Sequence, residues 1–144
     1  MYIFIDPGQN TGWALFDNEG KEFEVTTTRS FEHTADKIRL YINATSAPRI
    51  NHVIVEQFKL YPWKANDQYW SQFEEVQVIG AVRARCREFN VKYDTVPSGN
   101  YSMGFRYLGM NVPKHSHPLH DQMVAMAHGV FWLQNKGIRK PARR

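Results

Sequence analysis

The opening of the chain shows the pattern of short buried strands. Residues 2–6 are β-branched and aromatic, which predicts a strand that ends at Asp6, and Pro7 and Gly8 then break it. Residues 12–17 and 21–28 predict two further strands, joined by a turn at residues 18–20. The chain therefore opens with an antiparallel meander of three strands.

Helical and strand patterns alternate in the rest of the chain. We predict a helix over 35–44 with Thr34 as N-cap, followed by a strand over 53–56. A long helix then runs from Asn66 or Asp67 to 89, and a strand follows over 91–96. Residues 97–113 form a loop with a short helical piece, and the last helix covers 119–134. The run 53–56 is continuously apolar, as expected for a central strand parallel to the first. The order β-β-β-α-β-α-β-α predicts an α/β fold with a mixed five-stranded sheet and helices on both faces.

Composition adds a basic character to this picture. The 144 residues are 42% hydrophobic and 22% charged, which is ordinary for one globular domain, here residues 1–135. The net charge is +4, and the last nine residues, 136–144, hold five Lys or Arg and no acid. Such a tail is either a solvated end or a contact for phosphates.

Cysteine and hydropathy patterns bear on the compartment. Cys86 is the only cysteine, which excludes an internal disulfide or a multi-cysteine zinc site and fits a reducing cytoplasm. No signal peptide is expected, because the chain enters a strand at residue 2. No apolar run approaches the roughly 20 residues of a membrane span. We therefore expect a cytoplasmic protein without a membrane segment.

Three carboxylates stand at related places in the predicted fold. Asp6 and Glu56 end two strands that should be neighbours, and Asp121 is in the first turn of the last helix. Each acid alone could be a turn residue, a surface residue or a helix N-terminal charge. Together they can meet at one edge of the sheet, where oxygen ligands suit Mg²⁺ or Mn²⁺. Two such ions roughly 4 Å apart can assist an in-line phosphodiester displacement.

Several segments resemble the RuvC-type Holliday junction resolvases. Asp6-Pro7-Gly8 with Thr11-Gly12-Trp13-Ala14 resembles the family's opening motif. Residues 53–57 (VIVEQ) resemble its second motif, a buried strand that ends in Glu-Gln, and residues 77–82 (QVIGAV) resemble the helix that follows. Asp121 with Ala125, Ala127 and His128 is similar to the last helix of phage-encoded members. The resemblance implies an RNase H-like fold, a homodimer and Mg²⁺-dependent nicking of branched DNA such as four-way junctions. It implies that Asp6, Glu56 and Asp121 are the catalytic acids that bind the metal.

The family often places a fourth acid or a histidine one helical turn before the last aspartate. Three residues before Asp121 this chain has Pro118, which cannot serve. His117, four residues before, could share a face with Asp121 if the helix begins there, whereas His120 would point elsewhere on a regular helix. We therefore expect His117 as the fourth catalytic and metal-binding residue, acting as a ligand or a proton shuttle.

Candidate DNA contacts follow Glu56 and recur near the C-terminus. Aromatic and basic side chains interleave after Glu56, a pattern that can stack on unpaired bases and hold phosphates, although a buried loop or a dimer contact would also explain it. These residues are Lys59, Tyr61, Trp63 and Lys64. Further phosphate candidates are Arg106, Lys114, Arg139, Lys140, Arg143 and Arg144. The apolar and aromatic helix over 67–89 is a candidate dimer interface.

Three functions fit these features. The first is a structure-selective DNA endonuclease that cuts branched DNA. The second is another nuclease of the same fold, of RNase H type or acting in rRNA processing, and only the family resemblance separates it from the first. The third is a module that binds branched DNA without cutting it. Three acids at a DNA-binding edge argue against the third, because carboxylates repel phosphates unless a metal is present.

Overall fold

The computed structural model describes residues 1–44, 49–58 and 71–140. Its elements are β1 (Tyr2–Asp6), β2 (Thr11–Phe16), β3 (Glu22–Thr28), α1 (Phe31–Asn43), β4 (His52–Glu56), α2 (Ser71–Glu88), β5 (Tyr93–Val96), α3 (Tyr101–Leu108) and α4 (His120–Asn135). Within these ranges no helix is both long and apolar enough to cross a bilayer. The predicted order is confirmed, with α3 as the short helical piece before the last helix.

The five strands form one mixed sheet in the order β3-β2-β1-β4-β5. β1 pairs with β2 and β2 with β3 in antiparallel fashion, while β4 runs parallel to both β1 and β5. The predicted meander and the parallel pairing of β1 with β4 are therefore confirmed. Ile5 and Val55 are register partners, so the residues that follow them, Asp6 and Glu56, end their strands at the same edge of the sheet.

Alternate side chains of the central strands fill two apolar layers. Ile3, Ile5 and Val53 point to the face covered by α1 and α2, whereas Phe4 and Ile54 point to the face covered by α4. Burial of both faces explains why the central strands are apolar at every position and not only at alternate ones. Cys86 of α2 is buried in the first layer, and burial raises the pKa of its thiol to about 12.

The first helix begins earlier than the sequence predicts. Ser30 is the N-cap of α1, and its hydroxyl accepts a hydrogen bond from the His33 N–H. Thr34, the predicted cap, is buried instead, where its hydroxyl donates to the Ser30 carbonyl and shares a 2.7 Å hydrogen bond with Thr28. The predicted start of the long helix at Asn66 or Asp67 lies outside the described residues.

The predicted basic tail begins with residues that are packed against the domain. Ile138 packs against the apolar layer under α4. The Arg139 guanidinium donates to the Gly20 carbonyl at 2.8 Å, and Gly20 is in the left-handed region at φ 78°. Ile138 and Arg139 therefore contact the domain, and residues 141–144 lie outside the described part of the chain.

Candidate active site

Asp6 and Glu56 are brought together by the parallel pairing of β1 and β4. Each is the last residue of its strand. Their side chains interact through a hydrogen bond when one of them is protonated. The sequence places both acids directly after a buried apolar run, so both side chains are held at the rim of the core.

Asp121 reaches the same place because Gly12 has no side chain. Gly12 is the register partner of Asp6 on the neighbouring strand β2. A Cβ atom on Gly12 would overlap the backbone carbonyl of Asp121. The bare backbone therefore lets the first turn of α4 lie directly on the sheet, beside the end of β1.

The three acids line one open cleft of about 670 Å³. A fourth carboxylate, Glu75 of α2, lines it as well, together with the imidazoles of His115 and His120. All three predicted acids are thus brought together, and four carboxylates share one cleft.

The like charges of the cleft disfavour full ionisation. Burial raises the pKa of Asp6 well above its ordinary value, and the hydrogen bond with Glu56 and the charges of Glu56, Asp121 and Glu75 raise it further. Burial also raises the pKa of Asp121, although the positive charges of His120 and His115 oppose this shift. The pKa of Glu75 is raised by burial and by the charge of Glu56. A divalent cation would relieve this repulsion.

Glu56 is the one carboxylate of this cleft whose pKa is lowered, because a buried imidazole is within hydrogen-bond distance of it. Burial raises the pKa of Glu56, but hydrogen bonds with His128 and Asp6 lower it by more, so the net shift is downward. His128 Nε2 lies 2.9 Å from Glu56 Oε2, and the two side chains are only 3% and 14% exposed. Of the two carboxyl groups, Asp6 therefore has the raised pKa and Glu56 the lowered one.

The chemistry of the donor set fits a hard cation such as Mg²⁺, which prefers carboxylate oxygens and retains several waters. Within the three described ranges, however, no group of three or more His, Cys, Asp or Glu side chains is arranged as a ready-made metal site.

Two solved structures match this architecture over nearly the whole chain. RuvC of T. thermophilus in complex with a Holliday junction substrate aligns with a TM-score of 0.66 at 15% identity, covering 97% of this chain and 98% of that one. A second Thermus thermophilus RuvC structure aligns with a TM-score of 0.58 at 16% identity and the same coverage. The chain has the RuvC fold. Neither protein-family models nor curated protein sequences give a match.

The RuvC fold confirms the predicted RNase H-like class, but the structure changes the expectation for the fourth ligand. α4 begins at His120, so His117 lies before the helix and cannot share a helical face with Asp121. The His117 side chain is exposed, and its Nδ1 accepts a hydrogen bond from the Leu119 N–H at 3.2 Å. It does not line the cleft, whereas His120 does, with its ring centroid 4.4 Å from that of His115 and the two rings tilted by 44°.

The predicted DNA contacts are only partly visible on this RuvC fold. Arg106, Lys114 and Lys140 are exposed and outside the cleft lining, and Lys114 directly precedes His115. Arg139 is half-buried and already donates to Gly20, which reduces its capacity for phosphate. The remaining candidates lie outside the described residues: Lys59, Tyr61, Trp63, Lys64, Arg143 and Arg144.

Sequence reasoning did not place Glu75 or His115 in the site, and it preferred His117 over His120. It named His128 only within the resemblance to the last helix and gave it no role in the site. One signal was available for His128, which follows Asp121 by seven residues, or two helical turns, and so lies on the same stripe of α4. No such signal singles out Glu75, because its neighbour Glu74 is chemically identical and only the rotation of α2 distinguishes them.

Proposed function

We propose that this protein is a divalent-metal-dependent endonuclease that cuts phosphodiester bonds in branched DNA, with four-way junctions as its substrate. The observation that carries the proposal is the meeting of Asp6, Glu56 and Asp121 in one open cleft at the strand ends of a RuvC fold. The solved RuvC with the higher TM-score is in complex with a Holliday junction substrate. The net charge of +4 suits an anionic partner.

Each side chain then has a part in the reaction. Asp6, Glu56 and Asp121 would hold two Mg²⁺ ions, or Mn²⁺ in their place. Such ions would supply activation of the attacking water and neutralisation of charge on the phosphate and the leaving oxygen. The imidazoles of His115 and His120 lie beside Asp121 in the cleft, where a ring nitrogen can accept or return a proton.

We also propose that the protein acts as a homodimer through α2. Gly80 is in the interior of α2, where glycine costs about 1 kcal/mol relative to alanine. A Cβ atom there would meet nothing within 4 Å in the described parts of the chain, so packing within those parts does not explain the glycine. Val76, one turn earlier, is 49% exposed. A second copy of α2 approaching this face would explain both, and paired sites suit the near-twofold symmetry of a four-way junction.

The direct test incubates the protein with Mg²⁺ and four labelled substrates: a four-way junction, a duplex, a flap and an RNA–DNA hybrid. We expect cleavage of the junction and little of the other three. Preferential cleavage of the hybrid would show an RNase H-type nuclease and refute the proposal. Junction binding without cleavage of any substrate would show that the protein is a DNA-binding module and not a nuclease.

The acids are tested by Asp6→Asn, Glu56→Gln and Asp121→Asn, which should each abolish cleavage and leave junction binding largely intact. The reason is that these side chains hold metal and do not themselves contact phosphate. A matched control is Asp94→Asn, because Asp94 is on β5 of the same sheet, pairs with Ile54 and is outside the cleft lining. Cleavage near the wild-type rate by any of the three variants would remove that residue from the site.

A further inference from the structure

The contact between His128 and Glu56 joins two elements that are 72 residues apart in sequence. Glu56 lines the cleft and His128 does not, and both partners are largely buried. A metal-binding carboxylate can only accept hydrogen bonds, so the contact uses the tautomer in which His128 Nε2 carries the proton. His128 Nδ1 is buried and has no hydrogen-bond partner within the described residues. The imidazole therefore makes one polar contact, and that contact is to Glu56.

The packing around His128 leaves its ring little freedom. Gly104 of α3 lies so close to α4 that a Cβ atom there would overlap the Ala127 carbonyl. This approach brings the ring of Tyr101 edge-on to the His128 ring, with centroids 5.6 Å apart. On the other side, Gly129 lies against Phe4 and Phe16 of the sheet. The position of the imidazole is thus determined by the α3–α4 and α4–sheet contacts, independently of Glu56.

We propose that His128 is a positioning residue, whose Nε2–H holds the Glu56 carboxylate in the orientation that faces Asp6 across the cleft. The inference rests on the proposed function, because it takes Glu56 to be a metal ligand. His128 would orient that ligand through a hydrogen bond without contacting the metal. Carboxylate ligands that are hydrogen-bonded by a neighbouring side chain typically lose 10–100-fold in metal affinity or activity when that neighbour is removed. His128 would act through Glu56 and would touch neither metal nor DNA.

The test compares Mn²⁺ affinity, measured by EPR or calorimetry without DNA, between the wild type and three variants. His128→Phe keeps an aromatic ring but removes the donor, and we expect a 10–100-fold loss of affinity. His128→Gln can present an amide N–H near the position of Nε2 and should restore most of the affinity. His52→Phe is the matched control, because His52 is also buried, begins the strand that Glu56 ends, and packs on Trp132 of α4. We expect its Mn²⁺ affinity to be unchanged.

The hydrogen bond itself is visible by ¹⁵N NMR of the metal-free protein. The wild type should show a downfield His128 Nε2–H proton that disappears in Glu56→Ala. If His128→Phe does not fold, His128→Asn takes its place, since the shorter amide cannot reach Glu56. Unchanged Mn²⁺ affinity in the donor-less variant, equal loss in His52→Phe, or failure of His128→Gln to restore binding would overturn the inference.

The outcomes separate this inference from the nuclease proposal. A wild-type protein that binds Mn²⁺ but cuts no branched DNA would refute the nuclease and leave the role of His128 standing. A wild-type protein that cuts junctions while His128→Phe binds Mn²⁺ normally would refute only the role of His128. A wild-type protein that binds no Mn²⁺ would overturn both.

Discussion

Asp6 is the residue whose ionisation the fold opposes most strongly. It is half-buried at the end of β1, where desolvation and the charges of Glu56, Asp121 and Glu75 raise its pKa. Because its pKa in the folded protein lies above the ordinary aspartate value of 3.8, the folded state binds more protons than the unfolded state at pH values between the two. Asp6 therefore makes the metal-free protein progressively less stable as the pH rises through its raised pKa.

This reasoning gives a prediction for the metal-free protein. Asp6→Asn should raise the free energy of unfolding at pH 8 by about 1–3 kcal/mol, the usual cost of a buried polar group left without compensation. At pH values below the ordinary aspartate range, the variant and the wild type should have the same stability. Urea denaturation in EDTA at several pH values measures the difference.

Saturating Mg²⁺ provides the control for that experiment. If Asp6 helps to bind the ion, Mg²⁺ should stabilise the wild type at pH 8 and have much less effect on Asp6→Asn. A wild-type stability that rises with pH in EDTA, while that of Asp6→Asn does not, would contradict a raised pKa for Asp6.

At the scale of elements, the meeting of α4 with β2 at Gly12 determines where Asp121 lies. Gly12→Ala should push the first turn of α4 away from the end of β1, because the added methyl group would overlap the Asp121 backbone. A displacement of about 1 Å can lower the rate about 100-fold, so we expect junction cleavage to fall by 10–100-fold per folded molecule. Cleavage rates corrected for the folded fraction by circular dichroism test this.

Leu15→Ala is the matched control for the glycine variant. Leu15 is also buried in β2, but it packs in the layer under α1 and α2, away from α4. It should lose about 2–5 kcal/mol of stability, as core Leu→Ala changes do, while the folded fraction keeps its cleavage rate. Equal loss of cleavage in both variants would indicate that sheet stability, and not the position of Asp121, limits the reaction.

The first helix begins earlier than expected because two nearby residues are equally good caps by local sequence, and tertiary contacts determine which of them caps the helix. Ser30 and Thr34 are both good N-cap residues, and Thr34 is excluded only by its buried hydrogen bond with Thr28. β1 and β4 were predictable, because a continuously apolar run that ends in an acid has few alternatives. The same pattern also indicated Asp6 and Glu56 as neighbours.

The rest of the site depends on helix rotation, which local sequence does not encode. Glu75 enters the cleft and Glu74 does not, although the two are adjacent and chemically identical. His120 lines the cleft and His117 does not, because α4 begins three residues later than the expectation required. His128 reaches Glu56 only because α4 lies close to both α3 and the sheet.

For the whole molecule, the open face of α2 gives a prediction about assembly. Gly80→Arg should convert the proposed dimer into a monomer without unfolding it, because the new side chain meets nothing within the described parts of its own chain. Sedimentation velocity measures the assembly state, and circular dichroism checks the fold. We expect the monomeric variant to nick one strand of a junction without the paired second cut.

Leu40→Arg is the control for the added charge, because Leu40 is an apolar side chain of α1 that is 67% exposed. This variant should remain dimeric and active. If Gly80→Arg stays dimeric, the dimer interface lies on another surface. If the wild type is monomeric both free and with junction DNA, the proposed dimer is refuted.

The buried thiol of Cys86 has a practical consequence for studying the proposed assembly. At neutral pH a thiol with a pKa near 12 is almost entirely protonated, and the thiolate is the form that reacts with maleimides and disulfide reagents. The only native cysteine is therefore unreactive in the folded state. A cysteine introduced at an exposed position such as Lys140 would be labelled selectively, so fluorophores or DNA cross-linkers can be attached without first removing Cys86 from the core.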